Sequence, residues 1–169
     1  IIYRDIPQIF SIKEPVVLEQ IFKIILEDPG EIINLDDLAK ELKVSRQTIS
    51  LYLDYLEKSF LIKKLYNFSR NARKTQRKSK KYYPTILISI GIEKNEKFGK
   101  IFETFIVNQI DAEFFWRDNY KNEVDIIKQG KMPLPIEIKS GKFDTNPLKL
   151  FMKKFKVDKG IIISYDKKE

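Results

Sequence analysis

The sequence predicts a mixed α/β protein, and two observations carry this prediction. In the first half, apolar residues recur at spacings of three and four, the repeat of amphipathic helices. In the second half, a long helical pattern is followed by three short strand-like runs, a short helix and a final apolar run, separated by turn residues. We therefore expect a mainly helical first half and a second half built on a small sheet covered by helices.

Three helices are predicted in the first half. The first covers residues 15–28, and the second begins at a cap formed by Asn34 or Asp36. Ser45 caps the third, which runs to about Lys58. A short strand at Ile32-Ile33 is expected between the first two helices.

The second and third helices have the spacing of a helix-turn-helix. A three-residue turn joins them, and this length lets Leu38 and Leu42 pack against Ile49 and Leu53. The third helix would then be a recognition helix, whose polar face presents residues able to hydrogen-bond bases or phosphates. These residues are Arg46, Gln47, Thr48 and Ser50.

A basic segment follows, and two strand-like runs flank it as a hairpin. The runs lie at 60–62 and 82–88, and between residues 63 and 81 there are nine Lys or Arg and no Asp or Glu. This segment accounts for essentially the whole formal net charge of +8. Helix-turn-helix and hairpin together predict a winged helix over residues 15–88. The wing would supply phosphate contacts from Arg70, Arg73, Lys74, Arg77 and Lys78.

The wing also has a simpler interpretation, as a solvated surface loop. We favour binding to an anion, because nine like charges without a counter-charge in the segment repel one another. Duplex DNA is the expected partner.

The composition restricts the chemistry. The chain has no Cys and no His, which excludes the usual zinc sites, cysteine nucleophiles and histidine bases. A bound metal should be a hard ion held by oxygen, Mg²⁺ or Mn²⁺. No glycine-rich phosphate loop lies within these residues, and no apolar run is long enough for a membrane span. We expect a cytoplasmic protein without a membrane partner, and homo-oligomerisation is compatible with the sequence.

Candidate catalytic residues lie on the strand-like runs of the second half. Glu137 and Lys139 are two apart and share one face of a strand, while Asp125 lies opposite Val124 and Ile126 on another. The simpler interpretation is that these side chains face solvent on amphipathic strands. Glu103 favours the functional alternative, because it heads an apolar helical stripe and should point into the protein. A salt bridge from Glu103 to Lys100 or Lys139 is the structural alternative.

Asp125, Glu137 and Lys139, with Glu103 in a preceding helix, resemble the core of PD-(D/E)XK nucleases. That family's core has the same order of helix, three strands, helix and strand, so a restriction-endonuclease-like domain over 98–169 is implied. The resemblance implies that Asp125 and Glu137 ligate a divalent ion, that Lys139 serves the attacking water and that Glu103 assists the metal site. No Pro precedes Asp125, which departs from the family's motif.

The chain as a whole resembles the C-terminal region of a family of archaeal and bacterial AAA-type ATPases. The resemblance covers nearly all of residues 15–163 and depends on the order of soft motifs, which are SRQTISLYLDYLEKSFLI, KSKKYYPTILI, FGKIFETFIVNQI, FFWRDNYKNEVDIIK and PIEIKSGK. It implies an upstream P-loop ATPase domain, so that ATP would bind only there. Residues 1–14 would be the end of a linker from that domain, and 89–97 would connect the two halves.

Two functions from different classes follow. In the first, the winged helix binds duplex DNA and the second domain carries a Mg²⁺-dependent phosphodiesterase site. In the second, the chain is a catalytically silent interaction or regulatory module of the ATPase, because a nuclease-like fold does not by itself imply cleavage.

Overall fold

The computed structural model describes residues 1–86, 97–139 and 144–165, and its fold is mixed α/β. Residues 87–88 of the second predicted hairpin strand and most of the predicted connector, 89–96, lie outside the described residues. The helices are α1 (Asp5–Ile9), α2 (Pro15–Glu27), α3 (Leu35–Glu41), α4 (Arg46–Lys58), α5 (Ala72–Arg77), α6 (Lys97–Gln109) and α7 (Asn146–Phe155). The strands are β1 (Ile62–Asn67), β2 (Lys80–Pro84), β3 (Phe114–Arg117), β4 (Glu123–Val124), β5 (Ile126–Lys128), β6 (Leu134–Lys139) and β7 (Ile161–Ser164).

The helices of the first half begin where their caps predict. The Asn34 side chain accepts from the backbone N–H of Asp36 and starts α3, which decides between the two candidate caps. Ser45 accepts from the backbone N–H of Thr48 and starts α4. The side chains expected to pack between these two helices do so, since Leu38, Ile49 and Leu53 are buried in one core and Leu42 packs against it.

The stretch 1–14, predicted as the end of a linker, contains a short helix. It forms α1, whose Ile6 is buried, and the ring of Phe10 stacks on that of Tyr55 with 4.3 Å between centroids. The predicted strand at Ile32-Ile33 is reduced to one bridge, from Ile32 to Lys81.

The predicted hairpin forms, but its connection is not a simple loop. Strands β1 and β2 are antiparallel, with Ile62 opposite Pro84 and Tyr66 opposite Lys80. The basic connection folds into α5, which Asn71 caps. The sequence predicts a wing without a helix here, because six residues are too few to establish a helical repeat.

The hairpin joins the two halves through a shared sheet. Strand β1 pairs in parallel with β3, giving the strand order β2-β1-β3-β4, and a second sheet has the order β5-β6-β7. Strands β4 and β5 are separated only by Asp125. The second half keeps the predicted order of helix, three strands, helix and strand when β4 and β5 are counted as one bent strand.

The packing follows the sheet. Leu65 of β1 and Tyr83 of β2 are fully buried in a core with Val107, Phe115 and Ile126 of the second half. The hairpin therefore contributes apolar surface to both halves.

The final strand differs from its prediction. The uninterrupted apolar run GIIISY predicts a strand buried on both faces, yet Ile161 and Ile162 of β7 are 42% and 39% exposed. Within the described residues β7 pairs only with β6 and lies at the edge of its sheet, so the apolar run does not correspond to a central position. None of the described helices is both long enough and apolar enough to cross a bilayer.

Candidate functional site

Asp125 and Glu137 are brought close together by the pairing of β5 with β6. The register ends with Ile126 opposite Ile136, and the next residues along the two segments are Asp125 and Glu137. Asp125 is buried at the bend between β4 and β5, and its Oδ2 accepts from the backbone N–H of Ile138 at 2.7 Å. The charges of Glu103 and Glu137 both act on Asp125, so these carboxyl groups lie close to one another.

Lys139 neutralises only one oxygen of Glu137. Its Nζ lies 2.7 Å from Glu137 Oε1, and its side chain is 27% exposed. Glu137 is 3% exposed, and its Oε2 has no hydrogen-bond partner among the described residues. A buried carboxylate oxygen without a partner is costly and is a position where a cation or a water molecule would bind.

Glu103 points inward from α6, but its partners are not those proposed. Its Oε1 accepts from the hydroxyl of Tyr83 at 2.6 Å and lies 3.7 Å from Nζ of Lys81. Lys100, one of the proposed partners, instead pairs with Asp28 and Glu31 at the surface.

The sequence analysis did not single out three members of the site, Lys81, Glu123 and Arg117. Lys81 is 5% exposed and forms an ion pair with Oε1 of Glu123, while Arg117 lies 3.6 Å from Oε2 of the same residue. Because Lys81 lies in the basic segment, its sequence context suggests a surface charge. The alternation along β2 was the available signal, since it sets Lys81 on the same strand face as Tyr83.

Four carboxyl groups therefore gather around three cations. We call Glu103, Glu123, Asp125 and Glu137 the acidic cluster; its cations are Lys81, Arg117 and Lys139. Burial raises the pKa of Asp125 well above its ordinary value, and the charges of Glu103 and Glu137 add to this shift. Burial also raises the pKa of Glu137, although Lys139 opposes the shift.

The neighbouring acids reverse the usual effect of burial on the lysines. Burial by itself lowers the pKa of Lys81 and Lys139, but the surrounding carboxylates outweigh it and raise both. Both ammonium groups are therefore charged at neutral pH.

The donor chemistry of this cluster suits a hard divalent ion, but the side chains are not arranged around one. Carboxylate oxygens are preferred by Mg²⁺ and Mn²⁺, and Glu137 Oε2 is unpartnered. In the part of the chain that the structure describes, however, no three acidic side chains converge closely enough to hold a metal ion. Metal ligation by Asp125, Glu137 and Glu103 stays a prediction.

A second feature is a groove between the helix-turn-helix and the hairpin, which we call the basic groove. It has a volume of about 750 Å³, and its walls come from the start of α3, from α4 and from the residues entering β2. Five cations line it against two acids, Asp36 and Asp54. The cations are Arg46, Lys64, Arg77, Lys78 and Lys80.

The cations of the basic groove affect one another. Burial lowers the pKa of Lys80, and the charges of Lys64 and Arg46 lower it further. The pKa of Lys78 is lowered by burial and then by Lys154 and Lys74. These lysines are held near other positive charges, so a bound anion would relieve repulsion.

The structure brings together five of the nine residues predicted to bind DNA. Arg46, Gln47, Ser50, Arg77 and Lys78 all line the basic groove. The four others lie outside its lining. The hydroxyl of Thr48 lies 2.9 Å from that of the cap residue Ser45. Arg70 donates a hydrogen bond to the carbonyl of Phe155 at 2.7 Å. Arg73 and Lys74 lie on the exposed surface of α5. Lys64 and Lys80 were not among the predicted residues.

Three cations of the basic segment have counter-charges elsewhere in the chain. Lys63 pairs with Asp111, Lys64 with Glu57, and Lys81 with the acidic cluster, all through residues distant in sequence. Within the described residues no carboxylate pairs with the remaining cations of the segment, which are Arg70, Arg73, Lys74, Arg77, Lys78 and Lys80.

The basic groove and the acidic cluster lie on opposite faces of β2. Lys80 and Tyr82 line the groove, whereas Lys81 and Tyr83 contact Glu103. A separate cavity of about 270 Å³ opens beside Lys81, Arg117 and Glu123. The two features are therefore reached from different sides of the hairpin.

Comparison with known proteins adds relatives of undefined activity. Residues 1–85 match the family described as a domain of unknown function (DUF8612). The chain is 26% identical over 153 residues to the uncharacterized protein Rv2008c of Mycobacterium tuberculosis, and equally to the uncharacterized protein Mb2031c of Mycobacterium bovis. The alignment covers 80% of this chain but 35% of each relative, so the chain spans about a third of their length. No solved structure matches the chain.

Proposed function

The chain belongs to the family of the domain of unknown function DUF8612, and we propose that it is a nucleic-acid-binding module whose basic groove takes the phosphate backbone of duplex DNA. The observation that carries this proposal is the excess of cations in a concave surface next to a helix-turn-helix. Arg77, Lys78 and Lys80 have no carboxylate partner among the described residues, so their charges are available to an anion.

The recognition helix supports a duplex as the anion. Arg46, Gln47 and Ser50 lie on the first turns of α4, are exposed and face the groove. In helix-turn-helix proteins the start of the second helix contacts base edges while flanking cations contact phosphates. We therefore propose the winged-helix assignment for the first half, with the β1–β2 hairpin as a wing that contains α5. Arg70, Arg73 and Lys74 stay predicted phosphate contacts at its flank.

The salt dependence of duplex binding tests this proposal. If about five groove cations meet phosphates, log K should fall against log salt with a slope of about −4 to −5. The variant Arg77→Ala/Lys78→Ala/Lys80→Ala should reduce the steepness by about 2–3 and weaken binding. The matched control removes three exposed lysines away from the groove, Lys131, Lys149 and Lys153. Equal slopes for the two triple variants would contradict the proposal.

A second function is favoured by the unpartnered oxygen of Glu137. We propose that the second half is a PD-(D/E)XK-like domain in which Asp125 and Glu137 hold Mg²⁺ or Mn²⁺ and Glu103 assists. A divalent ion held by carboxylates supplies Lewis-acid polarisation of a phosphodiester and a more acidic bound water. Lys139 lies at the exposed edge of this site, where its ammonium can stabilise developing negative charge.

Metal-dependent melting and nicking separate this function from its alternative, a silent interaction module. A bound ion should raise the melting temperature, with stabilisation of about 2.7 kcal/mol at 100 times Kd. Nicking of plasmid DNA with Mn²⁺ should be lost in Asp125→Asn, whereas Asp118→Asn, at a turn outside the cluster, should retain it. Should wild type ignore both metals and leave DNA intact, the silent module is the better account.

We propose further that the chain works in the cytoplasm as the C-terminal part of an AAA-type ATPase. The support is the length of the relatives, about three times the matched region, which leaves room for a further domain. ATP binding and homo-oligomerisation would belong to that longer protein.

A further inference from the structure

Lys81 is a buried lysine that β2 directs into the acidic cluster. It is 5% exposed, its Nζ is ion-paired to Glu123 and lies 3.7 Å from Glu103 Oε1, and it lies 5.4 Å from the ring centroid of Phe115. A lysine this buried is stable as an ammonium only when carboxylates compensate its charge. The ammonium is therefore a built-in part of the cluster.

The charges in the cluster are nearly balanced by its own residues. Four carboxyl groups face three cations, so the excess with every group ionised is one negative charge. A divalent ion entering beside the ammonium of Lys81 would meet strong short-range repulsion. Without Lys81 the excess would be two negative charges, which a divalent ion neutralises.

We propose that Lys81 is an internal cation that competes with a divalent metal ion for the acidic cluster, so that Mg²⁺ or Mn²⁺ binds only when the ammonium moves away. This inference rests on the phosphodiesterase site proposed above. Its independent support is Glu137 Oε2, which is buried and has no hydrogen-bond partner among the described residues. A cavity of about 270 Å³ borders the cluster at Lys81, Arg117 and Glu123.

The competition also accounts for the arrangement of the side chains. Lys81 draws Glu103 and Glu123 to itself, while Asp125 is held by the backbone N–H of Ile138 and Glu137 by Lys139. Carboxylates that are bound to separate partners cannot converge on one ion. This agrees with the finding that, over the described ranges, no three acidic side chains form a metal-binding group.

Calorimetric titration with Mn²⁺ alone tests the proposal. We expect Lys81→Met to bind Mn²⁺ at least about tenfold more tightly than wild type, because a like charge next to the ion has been removed. The matched control is Lys63→Met, which removes a lysine whose ion pair, to Asp111, lies outside the cluster. Melting with and without Mn²⁺ should show a larger stabilisation in Lys81→Met than in wild type or in Lys63→Met.

Loss of Lys81 leaves two carboxylates uncompensated, so a second variant is titrated in parallel. Lys81→Met/Glu123→Gln removes the lysine together with its ion-pair partner and restores the charge balance of wild type; tighter Mn²⁺ binding is expected here too. Circular dichroism of each variant verifies folding.

The possible outcomes distinguish failure of this inference from failure of the phosphodiesterase site on which it rests. Equal Mn²⁺ affinity in wild type and in both Lys81 variants would overturn the competition while keeping the metal site. An equal gain in Mn²⁺ affinity in Lys63→Met would overturn the competition, because it would show that removing any positive charge has the same effect. Binding of Mn²⁺ to none of the proteins would overturn both the competition and the phosphodiesterase site. Duplex binding in the basic groove, measured on the same samples, is independent of these results.

Discussion

At the scale of single residues, Asp125 shows how burial and neighbouring charge decide what a carboxyl group can do. Its pKa is raised well above 3.8 because it is buried and because Glu103 and Glu137 are close. Its Oδ2 still accepts a hydrogen bond from Ile138, which an amide oxygen could also accept. Folding therefore makes this carboxyl group a weaker acid than a carboxyl group in water.

This predicts the effect of Asp125→Asn on stability. A carboxyl group with a raised pKa binds protons more tightly in the folded state, so its contribution to stability falls as pH rises from about 4 towards its folded-state pKa. In the absence of metal, we expect Asp125→Asn to be at least as stable as wild type at pH 7 and to have a weaker decline between pH 4.5 and 7. Urea unfolding at both pH values measures this.

Asp118→Asn is the matched control, because the pKa of Asp118 is shifted in the opposite direction. Burial acts against ionisation of Asp118, but hydrogen bonds from Asn122 and the backbone of Tyr120 outweigh it and lower the pKa. Its contribution to stability is present above pH 4 and is lost on acidification, so Asp118→Asn should destabilise at pH 7. If Asp125→Asn lost stability at pH 7 in the same way, the cluster would be a structural salt-bridge network.

At the scale of elements, one glycine allows β2 to lie against the turn after α2. Gly30 has φ of +79°, and its N–H donates to the carbonyl of Tyr82. A Cβ built on Gly30 would lie 2.7 Å from Cε1 of Tyr83, whose ring is fully buried and cannot move aside. Two independent constraints, a left-handed backbone and a close ring, therefore require glycine here.

Gly30→Ala should destabilise the protein by about 1–3 kcal/mol, because it introduces backbone strain together with a clash. It should also disturb the contact of Tyr83 with Glu103 in the acidic cluster. Gly130→Ala is the control, because a Cβ there comes no closer than 3.5 Å to its nearest neighbour, and a change within about 0.5 kcal/mol is expected. Chemical unfolding of both variants makes the comparison; similar losses would show that the Tyr83 contact is unimportant.

At the scale of the whole molecule, the parallel pairing of β1 with β3 makes the halves share a core. Leu65 lies in the hairpin of the first half, yet it is fully buried against Val107 and Phe115 of the second. A substitution in the hairpin core should therefore destabilise both halves of the described structure.

Leu65→Ala should lower the free energy of unfolding by about 2–5 kcal/mol. The protein has a single tryptophan, Trp116 in β3, which reports on the second half by fluorescence, while far-UV circular dichroism is dominated by the helices. In Leu65→Ala, the unfolding midpoints measured by the two signals should shift together. A fluorescence midpoint that stays at the wild-type value while the helical signal shifts would mean that the halves unfold independently.

Much of this could be predicted from the sequence, because it depends on local patterns. The caps at Asn34 and Ser45, the helix-turn-helix spacing and the alternation that puts Glu137 and Lys139 on one strand face are all set by neighbouring residues. The mixed α/β fold class and the order of the elements follow from the same periodicities.

Only the tertiary structure decided which residues meet across long separations. Lys81, Glu103 and Glu123 are distant in the chain, and their contact depends on the hairpin joining the sheet of the other half. The exposure of β7 likewise depends on its place at the sheet edge and not on its composition. The physical reason is that local propensity sets the elements, whereas burial and charge pairing are determined by neighbours that the fold supplies.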